Sequence, residues 1–206
     1  TNALRIQPDY LQARANLAVL STWCGELEYA VRELTLLAEL APNDGDVHFN
    51  LSLALLAAGR MAEGWQEHEW RFSKSRPVER RHADIPRWQG ESLAGKRLLI
   101  HAEQGYGDSL QFIRYAAILS GLGATVLVEA QDRIIAPLLA TNPGVSAVFA
   151  RGETVPPADF QIPMMSVPLP LGQAGWPPPR PPYLFADRDK VNAWRQKLGD
   201  LTGLRV

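Results

Sequence analysis

Arg97-Leu-Leu-Ile-His-Ala-Glu-Gln-Gly-Tyr-Gly-Asp-Ser-Leu-Gln111 runs from an apolar stretch, through a glycine-bearing loop, into a helical pattern. Residues 97–102 have the length and bulk of a buried strand, and Asp108 to Ser120 carries an apolar helical face. The alternation continues downstream. Gly123 to Glu129 is rich in β-branched residues and predicts a second strand. Gln131 to Thr141 predicts a helix, Val145 to Ala150 a third strand, and Phe160 and Gln161 the start of a fourth after a turn at Asp159. Asp187 to Leu198 predicts a last helix, with Asp187 as N-cap and Gly199 as its stop. Strands alternating with helices specify βαβ units and a parallel sheet. Residues 176–182 (WPPPRPP) predict an extended surface connector.

The loop from His101 to Gln111 follows the first strand, where doubly wound sheets place ligands. It is not a dinucleotide fingerprint, because Leu110 stands where the third glycine belongs. It is not a P-loop, because no Lys-Ser/Thr closes it. A carboxylate at the start of the helix also opposes phosphate, which seeks bare N–H groups there. Asp108 has two readings. As an N-cap paired with Gln111 in a capping box it contributes about 1 kcal/mol and needs no function. As a general base at the carboxyl end of the first strand, it is kept ionised by the helix dipole and takes a proton from an acceptor hydroxyl. His101 is expected to pack on the strand.

Upstream, the chain repeats. Pro8 and Pro42, Asn16 and Asn50, Leu17 and Leu51, and Gly25 and Gly59 share one offset, and Leu27/Met61 and Ala30/Gly64 keep it with similar residues. That offset is the period of the tetratricopeptide repeat, about 34 residues, and residues 10–72 resemble that family. Helices are predicted over Tyr10 to Cys24, Glu26 to Leu40, Asp46 to Ala58 and Met61 to Phe72. Gly25 supplies the turn, Pro42 the punctuation, and small Ala30 and Gly64 allow close helix approach. This gives a partial repeat, a full one, and one with a modified second helix. The resemblance implies that a concave wall of first helices binds extended protein or peptide. Asn16 and Asn50 hold equivalent inner positions, where an amide can both donate to and accept from a peptide group. The alternative is that both bond only within the repeat.

Between the two patterns, Ser73 to Ile85 is polar and carries Lys74, Arg76, Arg80 and Arg81, a solvated face or a contact for an anionic ligand. Pro86-Arg87-Trp88 and Gly90 predict a pinned loop, and Trp70 and Trp88 are expected either to pack between the two regions or to stack on a ligand. The expected organisation is therefore repeats over 1–72, a linker over 73–95, and an α/β domain over 96–206.

Composition sets outer bounds. The chain has 206 residues, 46% apolar and 21% charged, with a formal charge of -1. That excludes a disordered tail, a collagen-like fibre and a disulfide framework. Nothing global points to nucleic acid or to an anionic membrane. No apolar run is long enough to span a bilayer. The lone Cys24, expected buried in its helix, and the lack of a leader pattern predict a cytoplasmic protein. Because the chain opens on Thr1, and Gly203 to Val206 reads as a turn into a strand, a piece of a longer protein is expected.

Glu103-Gln-Gly-x-Gly-Asp-x-Leu-Gln-Phe-x-Arg-Tyr115, preceded by Trp88-x-Gly-Glu-x-Leu-x-Gly-Lys-x-Leu-Leu-x-His101, resembles bacterial tetratricopeptide proteins with a glycosyltransferase-like C-terminal region. That region is similar to the heptosyltransferases of lipopolysaccharide core synthesis. The resemblance implies an α + α/β chain: tetratricopeptide hairpins, then a Rossmann-like parallel-sheet domain forming the acceptor-side, N-terminal half of a GT-B fold. It implies inverting, metal-independent sugar transfer with Asp108 as base. Gly105 and Gly107 would keep the loop slim, and Glu103, Gln104 and Arg114 would line the cleft. The nucleotide-sugar donor would be a substrate held mainly by a second half starting near Leu204, so no cofactor is expected and this chain alone is expected to be inactive. The other function class is a non-catalytic scaffold, in which the repeats bind a partner and the α/β part is structural.

Overall fold

The computed structural model describes residues 2–172 and 181–199. The elements are α1 (Asn2–Ile6), α2 (Leu11–Trp23), α3 (Leu27–Leu40), α4 (Gly45–Ala57), α5 (Met61–His68), β1 (Arg97–His101), α6 (Tyr106–Phe112), α7 (Ala116–Gly121), β2 (Thr125–Ala130), α8 (Ala136–Leu139), β3 (Ala147–Ala150), β4 (Phe160–Pro163), α9 (Pro168–Leu171) and α10 (Arg188–Leu198). Short 3₁₀ turns follow α5, α6 and β4. The described residues form two compact units, 2–84 with 166–172, and 85–165 with 181–199.

The first unit is helical and keeps the sequence period. α2 and α4 start at Leu11 and Gly45, α3 and α5 at Leu27 and Met61, all at the repeat offset. Gly25 and Gly59 close the two hairpins at φ +83° and +77°, a backbone region that side-chain-bearing residues rarely adopt. Small residues let the helices touch: Ala18, Ala30 and Ala54 are fully buried among Leu34, Leu37 and Leu51. A Cβ added at Gly64 would lie 2.7 Å from Leu56 Cγ, so the glycine is what permits that approach. α5 ends early at His68, and Glu69–Phe72 tightens into a 3₁₀ turn. Cys24 is exposed at the C-cap of α2, not buried within it as expected, because the helix ends before it.

Much of the segment read as a linker is packed. Ser75 donates from N and Oγ to the Asp46 carboxylate. Lys74 Nζ lies 4.3 Å from the Phe49 ring centre and Arg80 Cζ 4.5 Å from that of Phe72. From Ile85 the chain belongs to the second unit, where Trp88 and Leu93 are buried. Trp70 and Trp88 each find a partner in their own unit. Trp70 stacks on His48 at 4.2 Å, and Trp88 Nε1 donates to Glu91 O at 2.8 Å.

The second unit holds a four-stranded parallel sheet in the order β3-β2-β1-β4. Leu98, Leu99, Ile100, Val126, Val128 and Ile162 are buried, as strands covered on both faces require. Arg87 extends the sheet beyond β4 by an isolated parallel bridge to Gln161. The helix expected from Asp108 starts instead at Tyr106 and is broken by a 3₁₀ turn over Ile113–Tyr115 before α7. The helix expected over 131–141 shrinks to α8. Pro137 lies in the first turn of α8, because in a helix begun at 131 it would stand in the interior without an N–H to donate, and Asp132 Oδ1 accepts from Ile134 N and Ile135 N in the turn before it. α10 forms as read, and Asp187 Oδ1 caps it by accepting from Lys190 N. The connector over 176–182 lies largely, and the strand start near Leu204 wholly, outside the described residues.

Candidate functional site at the carboxyl edge of the sheet

β1 lies between β2 and β4, so the strand order reverses at the β1–β4 pair. Open α/β sheets bind ligands at the carboxyl ends of strands at such a reversal. The loop from Ala102 to Gly105 leaves β1 there, and Glu103 bridges the reversal by accepting from Met165 N, just past β4, at 3.0 Å. Beneath it, His101 is buried and its Nε2 pairs with Gln161 Oε1 at 3.0 Å, so His101 belongs to the sheet, as expected.

Asp108 occupies the first turn of α6, but it is not the N-cap. Gly105 is, in extended conformation, and Asp108 Oδ2 accepts from Gly105 N at 3.1 Å. This is the returning half of a capping box, made without a capping side chain. The expected pairing of Asp108 with Gln111 therefore shifts by one turn. Asp108 is half-buried, and its Oδ1 has no hydrogen-bond partner among the described residues. One oxygen orients the carboxylate and the other remains available to a proton donor.

The loop is held from behind by Gln131, directly after β2. Gln131 Nε2 donates to Gln104 O at 3.1 Å, to Gly105 O at 2.9 Å and to Ser109 Oγ at 2.9 Å, while Ser109 Oγ donates to Gln131 Oε1 at 3.0 Å. Arg151, after β3, donates from Nη2 to Ala102 O at 3.1 Å. Tyr106 donates its phenol proton to Asp132 Oδ2. That bond raises the Tyr106 pKa and lowers that of Asp132. Sequence reading missed Ser109, Gln131, Asp132 and Arg151. For the last three, a signal was present: each stands just beyond the end of a strand, at the same edge as the loop.

The glycines of the loop are not demanded by the fold. Gly107 has open space where a Cβ would sit, and at Gly105 the nearest atom to it is Asp108 Oδ2, at 3.8 Å. Neither has a positive φ. Gln104 is exposed above them. Arg114 is turned elsewhere. Its Nε donates to Gln111 O, its Nη2 donates to Tyr183 Oη at 2.8 Å, and its guanidinium lies 4.7 Å from the Tyr183 ring centre. The structure thus gathers Glu103, Gln104, Gly105, Gly107 and Asp108 at one edge, and ties Arg114 to Tyr183.

In the helical unit, a cavity of about 520 Å³ is lined by Gln12 and Ala15 of α2 and by Asp46, Val47 and Asn50 of α4. Asn50 is half-buried there. Asn16 is exposed outside that lining, with its Oδ1 accepting from Gln12 Nε2 at 3.4 Å. Among the described residues, no group of three or more His, Cys, Asp or Glu could hold a metal ion, and no helix is long and apolar enough to cross a membrane.

No protein-family model matches the chain, and no solved structure matches it. The chain is similar to Protein FlbA of Caulobacter vibrioides, with 37% identity over 143 residues, covering 66% of this chain and 24% of that protein. The chain thus spans about a quarter of the length of the relative it matches.

Proposed function

We propose that this chain is the repeat-bearing, acceptor-side part of a glycosyltransferase that moves a sugar from a nucleotide-sugar donor to an acceptor hydroxyl. The observation that carries the reading is the carboxylate of Asp108, half-buried at the carboxyl edge of the sheet, with one oxygen fixed and the other open. In the reaction, Asp108 takes the acceptor hydroxyl's proton as that oxygen bonds to the anomeric carbon. The bond from that carbon to the nucleotide's diphosphate breaks, and the diphosphate leaves with the electron pair. The configuration at the sugar inverts. The donor is held mainly by a second α/β half. The cavity on α2 and α4, with Gln12 and Asn50 as amide contacts, takes an extended protein or peptide.

The test is Asp108→Asn in the full-length protein, assayed against a panel of nucleotide sugars. Asparagine keeps an acceptor for Gly105 N–H but cannot take a proton. A loss of turnover of about 10²-fold or more with the fold unchanged supports a base. Unchanged turnover sinks it. One observation favours the scaffold reading instead: the bond from Gly105 N–H gives Asp108 a purely structural job. Unchanged turnover in Asp108→Asn would leave Asp108 a cap of α6, and no turnover with any donor would leave the chain a peptide-binding scaffold.

A further inference from the structure

Helix α10 has no buried residue, yet its sequence is not polar all round. At about 100° per residue, Val191, Trp194 and Leu198 share one narrow stripe. Lys190 and Lys197 flank that stripe on one side, Arg188 and Arg195 on the other. Asp189, Asn192 and Gln196 take the opposite face. The apolar surface does not end with the helix. Ile134, Leu138 and Phe185 face the same open cleft of about 650 Å³, with Ile134 80% and Trp194 59% exposed. Lys197 Nζ sits 5.1 Å from the Trp194 ring centre. Of the acidic neighbours, Asp187 is committed to capping the helix and Asp189 faces away from the stripe.

We propose that α10, with the lip formed by Ile134, Leu138 and Phe185, docks on an anionic phospholipid surface, lying in the plane of the interface. Charge and geometry together select this occupant. Four cations stand against one acidic residue on this helix, in a chain whose net formal charge is only -1, so the helix carries a local excess of positive charge. The cations border the apolar stripe on both sides. Lipid satisfies that layout at once: the stripe enters the acyl boundary and the flanking lysine and arginine stems reach outward to lipid phosphates. A second copy of the chain would bring the same positive borders against each other.

The experiment is sedimentation of the 206-residue chain with vesicles of pure phosphatidylcholine or of phosphatidylcholine mixed with phosphatidylglycerol. Binding is expected only to the anionic vesicles and is expected to weaken with added salt. Neutralising two cations in K190Q/K197Q weakens it roughly 25-fold, at about fivefold for each interfacial cation, and K190R/K197R restores it. Trp194→Ala weakens it as well, with the salt dependence retained. Because none of these side chains is buried, each variant keeps the wild-type circular dichroism. The proposal is overturned if the wild type does not sediment with anionic vesicles. Equal binding by wild type and K190Q/K197Q also overturns it. So does a dimer that Trp194→Ala abolishes, which would make the cleft a self-association face.

Discussion

Arg71 Nη2 donates to Ser166 Oγ at 2.6 Å across 95 residues of chain. Arg71 is fully buried, and its Nη1 donates to His68 O, to His68 Nδ1 and to Glu69 Oε1. Ser166 Oγ in turn donates to Glu69 Oε1 at 2.7 Å. The segment just past β4 is thereby bonded to the helix that closes the repeats, and the helical unit is assembled from two separate stretches of sequence. A guanidinium without water is tolerable only when its donors meet acceptors, so this network holds its members tightly to one geometry.

Arg71→Met should therefore be costly. Methionine fills much of the space but leaves His68 O and Nδ1 without their donor, while Glu69 keeps the Ser166 hydroxyl. A loss of about 1–3 kcal/mol is expected in urea unfolding, as for buried acceptors left unpaired. Ser166→Ala removes a hydroxyl that serves two partners and should cost about 1 kcal/mol. If Arg71→Met costs no more than Ser166→Ala, the guanidinium is not the centre of the network.

His68 makes the helical unit sensitive to acid. Burial, and then the positive charge of Arg71, lower its pKa from 6.5 to about 4, with Glu69 offsetting part of the effect. Arg71 Nη1 donates to Nδ1, so the neutral ring is the form that fits. The unfolded chain binds the proton more readily than the folded one. Stability is complete above pH 6.5, falls as the pH drops toward 4, and changes no further from this group below that. The full loss is about 3 kcal/mol, from 1.36 kcal/mol per pKa unit. Gln in place of His68 cannot titrate, so the stability difference between wild type and His68→Gln should shrink across that window. A difference that stays constant from pH 7 to pH 4 would show that His68 carries its proton equally in both states.

The period of the first seventy residues was legible because each repeat writes its own punctuation. Gly25 and Gly59 mark hairpin turns, and Ala30 and Gly64 mark close approaches, in residue types that have few other uses there. The strands were legible for a similar reason, since burial on both faces demands unbroken apolar runs such as Leu98 to Ile100. The length of the helix after β2 was not, because apolar periodicity alone does not register that Pro137 belongs in a first turn and not in an interior. At the candidate site, Asp108 and its glycines stood out in sequence. The true cap did not, because Gly105 carries no capping side chain to read. Gln131 was legible only as a residue just past the end of β2, while its partners, like the pairing of Ser166 with Arg71, were hidden by distance along the chain. Partners brought together by a parallel crossover leave no local pattern at either end.

Gln131 offers the sharpest test of whether the loop after β1 is preorganised. Its amide nitrogen faces two backbone oxygens, Gln104 O and Gly105 O, together with Ser109 Oγ. Gln131→Glu keeps the shape and replaces the donor by an acceptor, so two carbonyls would face a carboxylate oxygen. About 1–3 kcal/mol of local stability is expected to go with the stranded acceptors. Because Gly105 is the N-cap of α6, the loosening should pass to the turn that carries Asp108. Hydrogen exchange followed by mass spectrometry over residues 102–112 should show faster exchange there, with β1 itself unaffected. In the transferase reading, Gln131→Glu lowers kcat more than it raises KM, since Asp108 stays present but is less often in position. Wild-type protection of the loop in Gln131→Glu would mean that β1 and α6 hold it unaided, and that Gln131 is a bystander at the edge of the sheet.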